Sequence, residues 1–366
     1  MGHLVGGKDE AYRALAERLS RFPVGVVIND TLISILKLLY AGSEAVVGSK
    51  FPLKPRPLSE IADLAGMSEE KTGELLNGMA EKGLVVDIPR KGTTYYMLSP
   101  VVVGFFEYSL MRADRADIAE LSALYEHYFQ DKKVAGEIFG SDTKMFRALV
   151  YEHYIPELVR TEVLDYEKAE TVIRESGGGG LSLCACRHKN YHLGKACKYP
   201  MEDICTSLGR PAEWLLRHGF ARKASVDELL GNLENSYRLG LVLTCDNVID
   251  EPAYICHCCG CCCGPLQSIK KHGVEAVQPS SFLPQIDPEA CLACDACVDA
   301  CHIDALEASP SAEPVLNREL CIGCGVCASA CPSGALQMVR LSDIYTPPRN
   351  KMDQLINIAV ERGRFG

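Results

Sequence analysis

The chain contains the stretch Cys291-Leu-Ala-Cys294-Asp-Ala-Cys297-Val-Asp-Ala-Cys301, and the pattern returns downstream as Cys321-Ile-Gly-Cys324-Gly-Val-Cys327-Ala-Ser-Ala-Cys331-Pro332. Both copies have the spacing C-x2-C-x2-C-x3-C. Three closely spaced thiolates on a tight loop can face one cluster of metal ions. Zinc sites seldom use three evenly spaced cysteines and a distant fourth in duplicate. The repeat therefore predicts two polynuclear clusters rather than zinc.

This segment resembles the bacterial two-[4Fe–4S] ferredoxin fold over residues 284–340. Pro332 matches the proline that follows the last cysteine in that family, and glycines beside the second motif let backbone N–H groups approach the sulfurs. In such ferredoxins the fourth cysteine of each motif ligates the other cluster. The resemblance thus implies two ligand sets: Cys291, Cys294, Cys297 and Cys331 for one cluster, and Cys321, Cys324, Cys327 and Cys301 for the other.

His302 departs from the family, since it stands where the first motif normally has proline. One interpretation is an ordinary surface histidine. The other is a residue that hydrogen-bonds the edge of a cluster and makes its potential depend on pH.

Cysteine usage also bears on the compartment. The chain has 366 residues and an odd number of cysteines, 19, all of them after residue 183. No signal-peptide pattern opens the sequence, and no apolar run approaches the ~20 residues that span a bilayer. Clustered Cys-x-x-Cys spacing then favours metal binding over disulfides. We expect a cytoplasmic protein without a membrane span.

Charge is unevenly distributed along the chain. The formal net charge is −10, and residues 281–340 carry eight acids against two arginines. Residues 184–223 are basic, with eight Lys or Arg against three acids. An acidic redox segment argues against nucleic acid as the main partner and favours a basic redox protein, as part of a larger oxidoreductase complex.

The first half reads as a mostly helical scaffold without cysteines. Over residues 32–100 a helix ended by Gly66, a helix opened by Ser68, and a hairpin up to residue 98 resemble a winged helix-turn-helix domain. The two interpretations are DNA binding and a docking scaffold. The second helix carries Glu69, Glu70, Glu74 and Glu81, which would be repelled by phosphates. A glycine run at 177–180 is predicted to be a hinge.

Eleven cysteines lie outside the ferredoxin motifs. The first group, Cys184, Cys186, Cys197 and Cys205, is predicted to hold a third cluster, because nearby cations that include Arg187 and Lys195 would offset its negative charge. The second group comprises Cys245, Cys256, Cys258, Cys259, Cys261, Cys262 and Cys263, with His257 among them. Adjacent side chains in extended backbone diverge, so these cysteines would either serve two sites or complete clusters begun by the first group.

The triplet Cys258-Cys259-Gly260 resembles the CCG domains of heterodisulfide reductases, but the resemblance stops at the triplet. As a whole the chain resembles multi-cluster 4Fe–4S dicluster-domain proteins of anaerobic prokaryotes. The predicted fold class is α+β and multidomain, with five segments: 1–100 helical and winged-helix-like, 101–183 helical, 184–283 Cys-rich, 284–340 ferredoxin, and 341–366 a helical tail.

The favoured function is electron transfer through several iron–sulfur clusters, two in the ferredoxin segment and one or two elsewhere, without catalysis by this chain. Two alternatives remain. One is a reductase with a substrate-accessible cluster near Cys245 and residues 256–263, with His257 as the acid–base candidate. The other is a redox-responsive regulator that uses the winged helix.

Overall fold

The computed structural model describes residues 3–160, 163–309 and 313–364. Its α-helices, in chain order, are α1 His3–Leu19, α2 Asp30–Leu39, α3 Gly42–Lys50, α4 Leu58–Ala65, α5 Glu69–Glu81, α6 Phe106–Leu110, α7 Ile118–Phe129, α8 Lys132–Phe139, α9 Glu157–Arg160, α10 Ala169–Ser176, α11 Ala185–His192, α12 Gly209–Arg217, α13 Val226–Arg238, α14 Gly264–His272, α15 Ala296–Asp299, α16 Val326–Ser329 and α17 Lys351–Glu361.

The strands form four sheets. They are β1 Arg56–Pro57, β2 Val85–Arg90, β3 Thr93–Leu98, β4 Phe146–Ala148, β5 Gly179–Ser182, β6 Cys205–Leu208, β7 Ala221–Ala224, β8 Val242–Asp246, β9 Tyr254–Cys258, β10 Val277–Gln278, β11 Phe282–Ile286, β12 Leu306–Glu307, β13 Val315–Leu316 and β14 Leu336–Arg340. The largest sheet has seven strands in the order β10-β4-β8-β9-β6-β5-β7. Its pairs are antiparallel except β10 with β4. The fold is thus α+β, as predicted.

The chain divides into two compact units. The first takes the residues up to Ser141, then Cys184–Ala196, then the residues from Leu355 onward. The second takes Asp142–Leu183 and Cys197–Gln354. The predicted division into five segments stays a prediction.

Within the first unit, the helices and hairpin follow the predicted order. Helix α4 ends at Gly66 in a left-handed conformation, and the Ser68 side chain accepts the Lys71 N–H at the start of α5, at 3.4 Å. Strand β3 lies between β1 and β2. The four glutamates of α5 are exposed. The winged-helix assignment itself stays a prediction.

The C-terminal residues are anchored within the first unit by a carboxylate. Glu137 Oε1 accepts from Arg362 Nη1 at 2.7 Å and from Arg364 Nη1 at 2.6 Å, and the Gly25 N–H donates to it at 3.0 Å. Arg364 also donates to the carbonyl oxygens of Phe22 and Pro23. The predicted helical tail therefore clasps the N-terminal half of its own chain.

The glycine run differs from its prediction as a hinge. Gly177 and Gly178 have positive φ values of 70° and 126°, but Gly179 and Gly180 belong to β5, between β6 and β7. A Cβ on Gly179 would overlap the carbonyl oxygen of Ser207. Glycine is required here because a neighbouring strand passes too close for a side chain, and not because the chain bends.

Among the described residues, no single helix is long and apolar enough to cross a membrane. Helices α2 and α3 satisfy the length and composition criteria only when taken together, and the chain bends by 112° between them. Both carry fully buried core residues such as Leu32, Ile35 and Val47.

Candidate metal centres

The ferredoxin segment is built from two equivalent halves. Strands β11 and β14 pair antiparallel along five residues each, and the short strands β12 and β13 pair with each other. Each cysteine loop runs into a short helix, α15 or α16, that carries the third cysteine of its motif. The fourth cysteine follows that helix, so it leaves the loop that holds the other three.

The second motif surrounds a cavity that can accept a cluster. Its lining includes Cys301, Cys321, Cys324 and Cys327, and apolar side chains such as Leu306 complete the wall. Cys301 belongs to the first motif, and it sits here among the three loop cysteines of the second. The donor set, four thiols on one mostly apolar cavity, fits a [4Fe–4S] cluster with the exchange of the fourth ligand that the resemblance implies.

Backbone amides donate to one sulfur of each predicted ligand set. The Ala305 N–H donates to Cys301 Sγ at 3.2 Å, and the Ala293 N–H to Cys291 Sγ at 3.5 Å. Such donors stabilise negative charge on ligating sulfur and tend to raise a cluster's reduction potential.

The first motif lies nearer to solvent. Burial, and to a smaller extent the charges of Cys331 and Cys291, raise the pKa of Cys297. Cys294 is exposed, and the side chain of Leu292 beside it is 67% exposed. An exposed apolar residue therefore lies at the edge of this candidate cluster.

The second motif is enclosed by comparison. Burial raises the pKa of Cys324 to about 12 and that of Cys321 to about 11. The surrounding core consists of Val150, Ile155, Val163, Phe282, Leu306, Cys327, Ala328, Leu336 and Met338. The Tyr151 N–H also donates to the Cys324 carbonyl at 3.1 Å. The ferredoxin segment thus packs against other residues of the second unit.

Three of the remaining cysteines meet on one face of the large sheet. The Cys256 S–H donates hydrogen bonds toward Cys205 and Cys258, and these bonds, followed by burial, raise the pKa of Cys256 well above its ordinary value. Cys258 Sγ also lies 3.6 Å from Thr244 Oγ1 on the neighbouring strand. Residues two apart on a strand share a face, so Cys256 and Cys258 point together toward Cys205 of β6.

Cys245 and His257 lie on the opposite face. Cys245 is paired with Ile255, and His257 with Leu243. These positions alternate along β8 and β9 with those of Cys256 and Cys258, so their side chains point to the other face. The His257 ring is fully hydrogen-bonded, with Nδ1 2.7 Å from Ser236 Oγ and Nε2 3.1 Å from Thr206 Oγ1. This histidine therefore braces α13 against the sheet, which does not favour the acid–base role considered from the sequence.

A separate set of four cysteines comes together at the loop after β9. The sulfurs of Cys197, Cys259, Cys261 and Cys262 all lie within 4.8 Å of one another. Cys263 follows as the residue before α14 and is buried. The sequence pattern placed Cys197 with Cys205, but the structure separates these two between different groups. The loop thus places three of its thiols beside the upstream Cys197, and its completion of clusters begun by the first group stays a prediction.

Cys184 and Cys186 belong to the first unit, at the start of α11. The cations beside them have local partners. Lys189 and Lys195 both pair with Glu126, the latter at 3.3 Å. Although burial opposes it, the hydrogen bond and charge of Lys189, with the charge of Lys195, lower the pKa of Glu126 to about 2. Arg187 is buried in the same helix. A cluster shared by all four cysteines of the first group stays a prediction.

His302 links the ferredoxin segment to the Cys-rich loop. Its Nδ1 accepts the Gly260 N–H at 3.0 Å, and its Nε2–H donates to the Gly240 carbonyl at 2.7 Å. A Cβ on Gly260 would overlap the His302 carbonyl group. The half-buried imidazole therefore bridges the two segments through both of its ring nitrogens. The role of Gly260 could not be predicted from the sequence. The histidine in place of proline was the only indication, and it did not identify the backbone groups that the ring contacts.

A family model described as the 4Fe-4S dicluster domain matches residues 284–338. Comparisons with curated proteins and with solved structures give no match. The matched domain contains all eight motif cysteines, and the Cys-rich loop lies outside it. Together, the domain match and the four-cysteine group indicate an iron–sulfur electron-transfer role.

Proposed function

We propose that the protein is a cytoplasmic electron-transfer component that relays single electrons between a partner redox enzyme and its own Cys-rich region. One cluster would be held by Cys291, Cys294, Cys297 and Cys331, and the other by Cys301, Cys321, Cys324 and Cys327. The proposal rests on the difference in solvent exposure between these two sets of cysteines, of which the first lies nearer to solvent. The exposed set is the entry point for a partner, and the enclosed set passes the electron inward.

The inward step is supported by His302. This residue follows Cys301 directly, and its ring hydrogen-bonds Gly260, between Cys259 and Cys261. It also binds the Gly240 carbonyl, just before β8, the strand that pairs with the cysteine-bearing β9. Covalent and hydrogen bonds therefore connect Cys301, a proposed ligand of the enclosed cluster, to the loop after β9. They also connect it to β8, which pairs with the strand that carries Cys256 and Cys258.

A further iron–sulfur cluster would use Cys205, Cys256 and Cys258. The Cys256 thiol interacts with both Cys205 and Cys258, and the strand register places all three on one sheet face. A cubane needs four terminal ligands, so the trio would be completed by a ligand from elsewhere in the chain or from a bound molecule.

The substitution Cys294→Ser tests the relay, since it changes the exposed cluster and leaves the enclosed set intact. We expect oxidation of the reduced protein by a basic cytochrome to slow at least tenfold, while the EPR signal of the enclosed cluster persists. Leu164→Ser, an exposed site outside the clusters, is the control and should transfer electrons normally. A Cys294→Ser protein that transfers electrons at the unaltered rate would exclude the proposed entry point.

The trio also favours a second candidate function, a reductase in which one iron of an incompletely ligated cluster binds substrate. Cyanide, a small ligand for open iron sites, provides the probe. A change confined to one EPR signal, and abolished in Cys258→Ser, would favour catalysis. Unchanged spectra with cyanide would leave electron transfer as the function.

A further inference from the structure

The loop after β9 brings cysteines together by turning. Cys259 directly follows β9, and the N–H groups of Cys262 and Cys263 both donate back to the Cys259 carbonyl, at 3.4 and 3.1 Å. In a helical turn, side chains three residues apart share a side. Cys259 and Cys262 therefore point the same way, although extended backbone would have separated such close neighbours.

Two further sulfurs complete the group. Cys261 Sγ lies 3.8 Å from Cys262 Sγ, and Cys197 approaches from the segment before β6. Cys259 and Cys262 are buried, Cys197 is half-buried and Cys261 is exposed. Four thiols this close repel one another when ionised, and a cation at their centre would remove that repulsion.

The spacing selects the kind of centre. With metal–sulfur bonds of ~2.3 Å, four thiolates at the corners of a tetrahedron lie ~4 Å apart. A cubane holds its thiolates farther apart, because each binds a different iron. In the part of the chain that the structure describes, the ferredoxin cysteines form no group as tight as this one. The 4.8 Å limit met by Cys197, Cys259, Cys261 and Cys262 thus matches a single ion.

Contacts outside the four cysteines hold the loop in this conformation. The Gly260 N–H is bound by His302, and the Gly260 carbonyl accepts a hydrogen bond from the Gln267 side chain of α14. Both peptide groups of the turn's central residue are thereby fixed. A ligand loop that is fixed by its surroundings needs little rearrangement to bind an ion.

We infer that Cys197, Cys259, Cys261 and Cys262 bind one tetrahedral metal ion, zinc or iron, separate from every cubane in the chain. This centre goes beyond the proposed function, since a zinc ion would brace the loop without carrying electrons. An iron ion would add a one-electron site. The two ions share the same four-thiolate chemistry, and metal analysis distinguishes them.

The experiment compares metal and acid-labile sulfide in the anaerobically purified wild type and Cys261→Ser. Cys261 is chosen because it is exposed, so its loss disturbs packing least. We expect the variant to lose one metal ion per chain and no sulfide. Zinc in the wild type, or a high-spin ferric signal without sulfide, each supports the inference. Equal loss of iron and sulfide would reveal a cubane and overturn it, as would unchanged metal content.

Two further variants guard the result. Cys197→Ser removes a ligand from a distant segment and should cause the same loss. Leu164→Ser changes an exposed side chain outside the cysteine groups and should retain the full metal content. The EPR signals of the ferredoxin clusters, recorded on the same samples, test the proposed function independently. Loss of the single ion with those signals intact separates the two conclusions.

Discussion

At the scale of single residues, the two cysteine loops adopt the same left-handed backbone conformation with different residues. Gly323 and Gly325 of the second motif have φ values of 65° and 83°, and Ala293 and Asp295 at the equivalent positions of the first have 47° and 54°. Only glycine adopts this left-handed region without strain. The first loop is therefore strained where the second is not.

Substitutions that exchange these residues should have opposite effects. In Gly323→Ala, a Cβ would overlap the Phe282 carbonyl oxygen, so we expect loss of the enclosed cluster, seen as lower iron and sulfide content. In Ala293→Gly, release of the left-handed strain should raise the free energy of unfolding by about 1 kcal/mol. A fully loaded Gly323→Ala protein would contradict the close approach of these loops.

A buried carboxyl makes stability depend on pH. Burial, followed by the charge of Glu170, raises the pKa of Glu152 to about 7, and Glu152 Oε1 has no hydrogen-bond partner. The folded protein holds this proton more tightly than the unfolded chain. The stabilising contribution is therefore complete below pH ~4.5 and is lost as the pH rises through about 7.

The substitution Glu152→Gln removes this dependence. We expect the variant to gain about 1 to 2 kcal/mol over the wild type above pH 8, after allowance for the partial solvent access of the carboxyl, and nothing below pH ~4.5. Denaturant unfolding across this pH range measures the difference. Glu157→Gln, on an exposed side chain, should show no such trend, and a Glu152→Gln curve parallel to the wild type would refute the assignment.

The eight motif cysteines could be predicted from sequence because their ligand spacing is local. The partners of Cys197 could not, because the loop that it joins lies more than fifty residues downstream and no spacing rule connects the two. His302 was recognised as a departure from the family, yet its role depends on Gly260 and Gly240, which tertiary folding brings to it. Local pattern therefore identified candidate ligands, and outside the ferredoxin motifs only the fold shows which cysteines lie together.

At the scale of elements, the attachment of the C-terminal residues depends on one carboxylate. Glu137 of α8 receives both Arg362 and Arg364 and is 19% exposed. Its replacement in Glu137→Gln leaves two guanidinium groups without a counterion in a half-buried place. We expect a loss of about 2 kcal/mol of stability and faster hydrogen exchange along residues 355–361.

A surface pair provides the control for this effect. Arg349 and Asp250 are 3.0 Å apart, with side chains 80% and 48% exposed. Exposed pairs of this kind contribute little, so Asp250→Asn should change stability by less than about 0.5 kcal/mol. Equal losses in the two variants would show that Glu137 is not a special anchor.

Element prediction succeeded where caps and turns are encoded locally, as at Gly66 and Ser68 of the helix pair. It failed at Gly179 and Gly180, where an apparent hinge is a sheet strand. Glycine permits both a flexible bend and a close approach between strands, and only the position of Ser207 decides between them. The winged-helix resemblance has the predicted elements and exposed acids on α5, but its use is untested.

At the scale of the whole molecule, charge sets how a partner approaches. Of the acids in residues 281–340, Asp287, Glu289, Asp299, Asp304, Glu307 and Glu319 are exposed. Arg340, one of the two opposing cations, is buried against Glu167 at 3.4 Å. Asp304 is paired with Lys270 at 2.9 Å, but the segment itself still has an excess of acids, which would attract a basic partner over a distance of about one Debye length.

Electron transfer to a basic cytochrome should consequently slow as salt rises. We expect the second-order rate to fall about tenfold between low and high ionic strength. Stopped-flow oxidation of the reduced protein measures it, and a small neutral oxidant, which feels no such attraction, should show no salt effect. A rate independent of salt for the cytochrome would mean that docking uses the apolar edge at Leu292 and not the acids.

The division of the chain into units has a consequence for its synthesis. The first unit begins at the N-terminal helices but also needs Cys184–Ala196 and the residues from Leu355 onward. A ribosome makes the last of these only after it has synthesised all eight ferredoxin cysteines and the whole Cys-rich loop. The Cys-rich loop, far upstream of Leu355, can thus meet metal while the first unit still lacks its last segment. The unit that starts first is the one that finishes last.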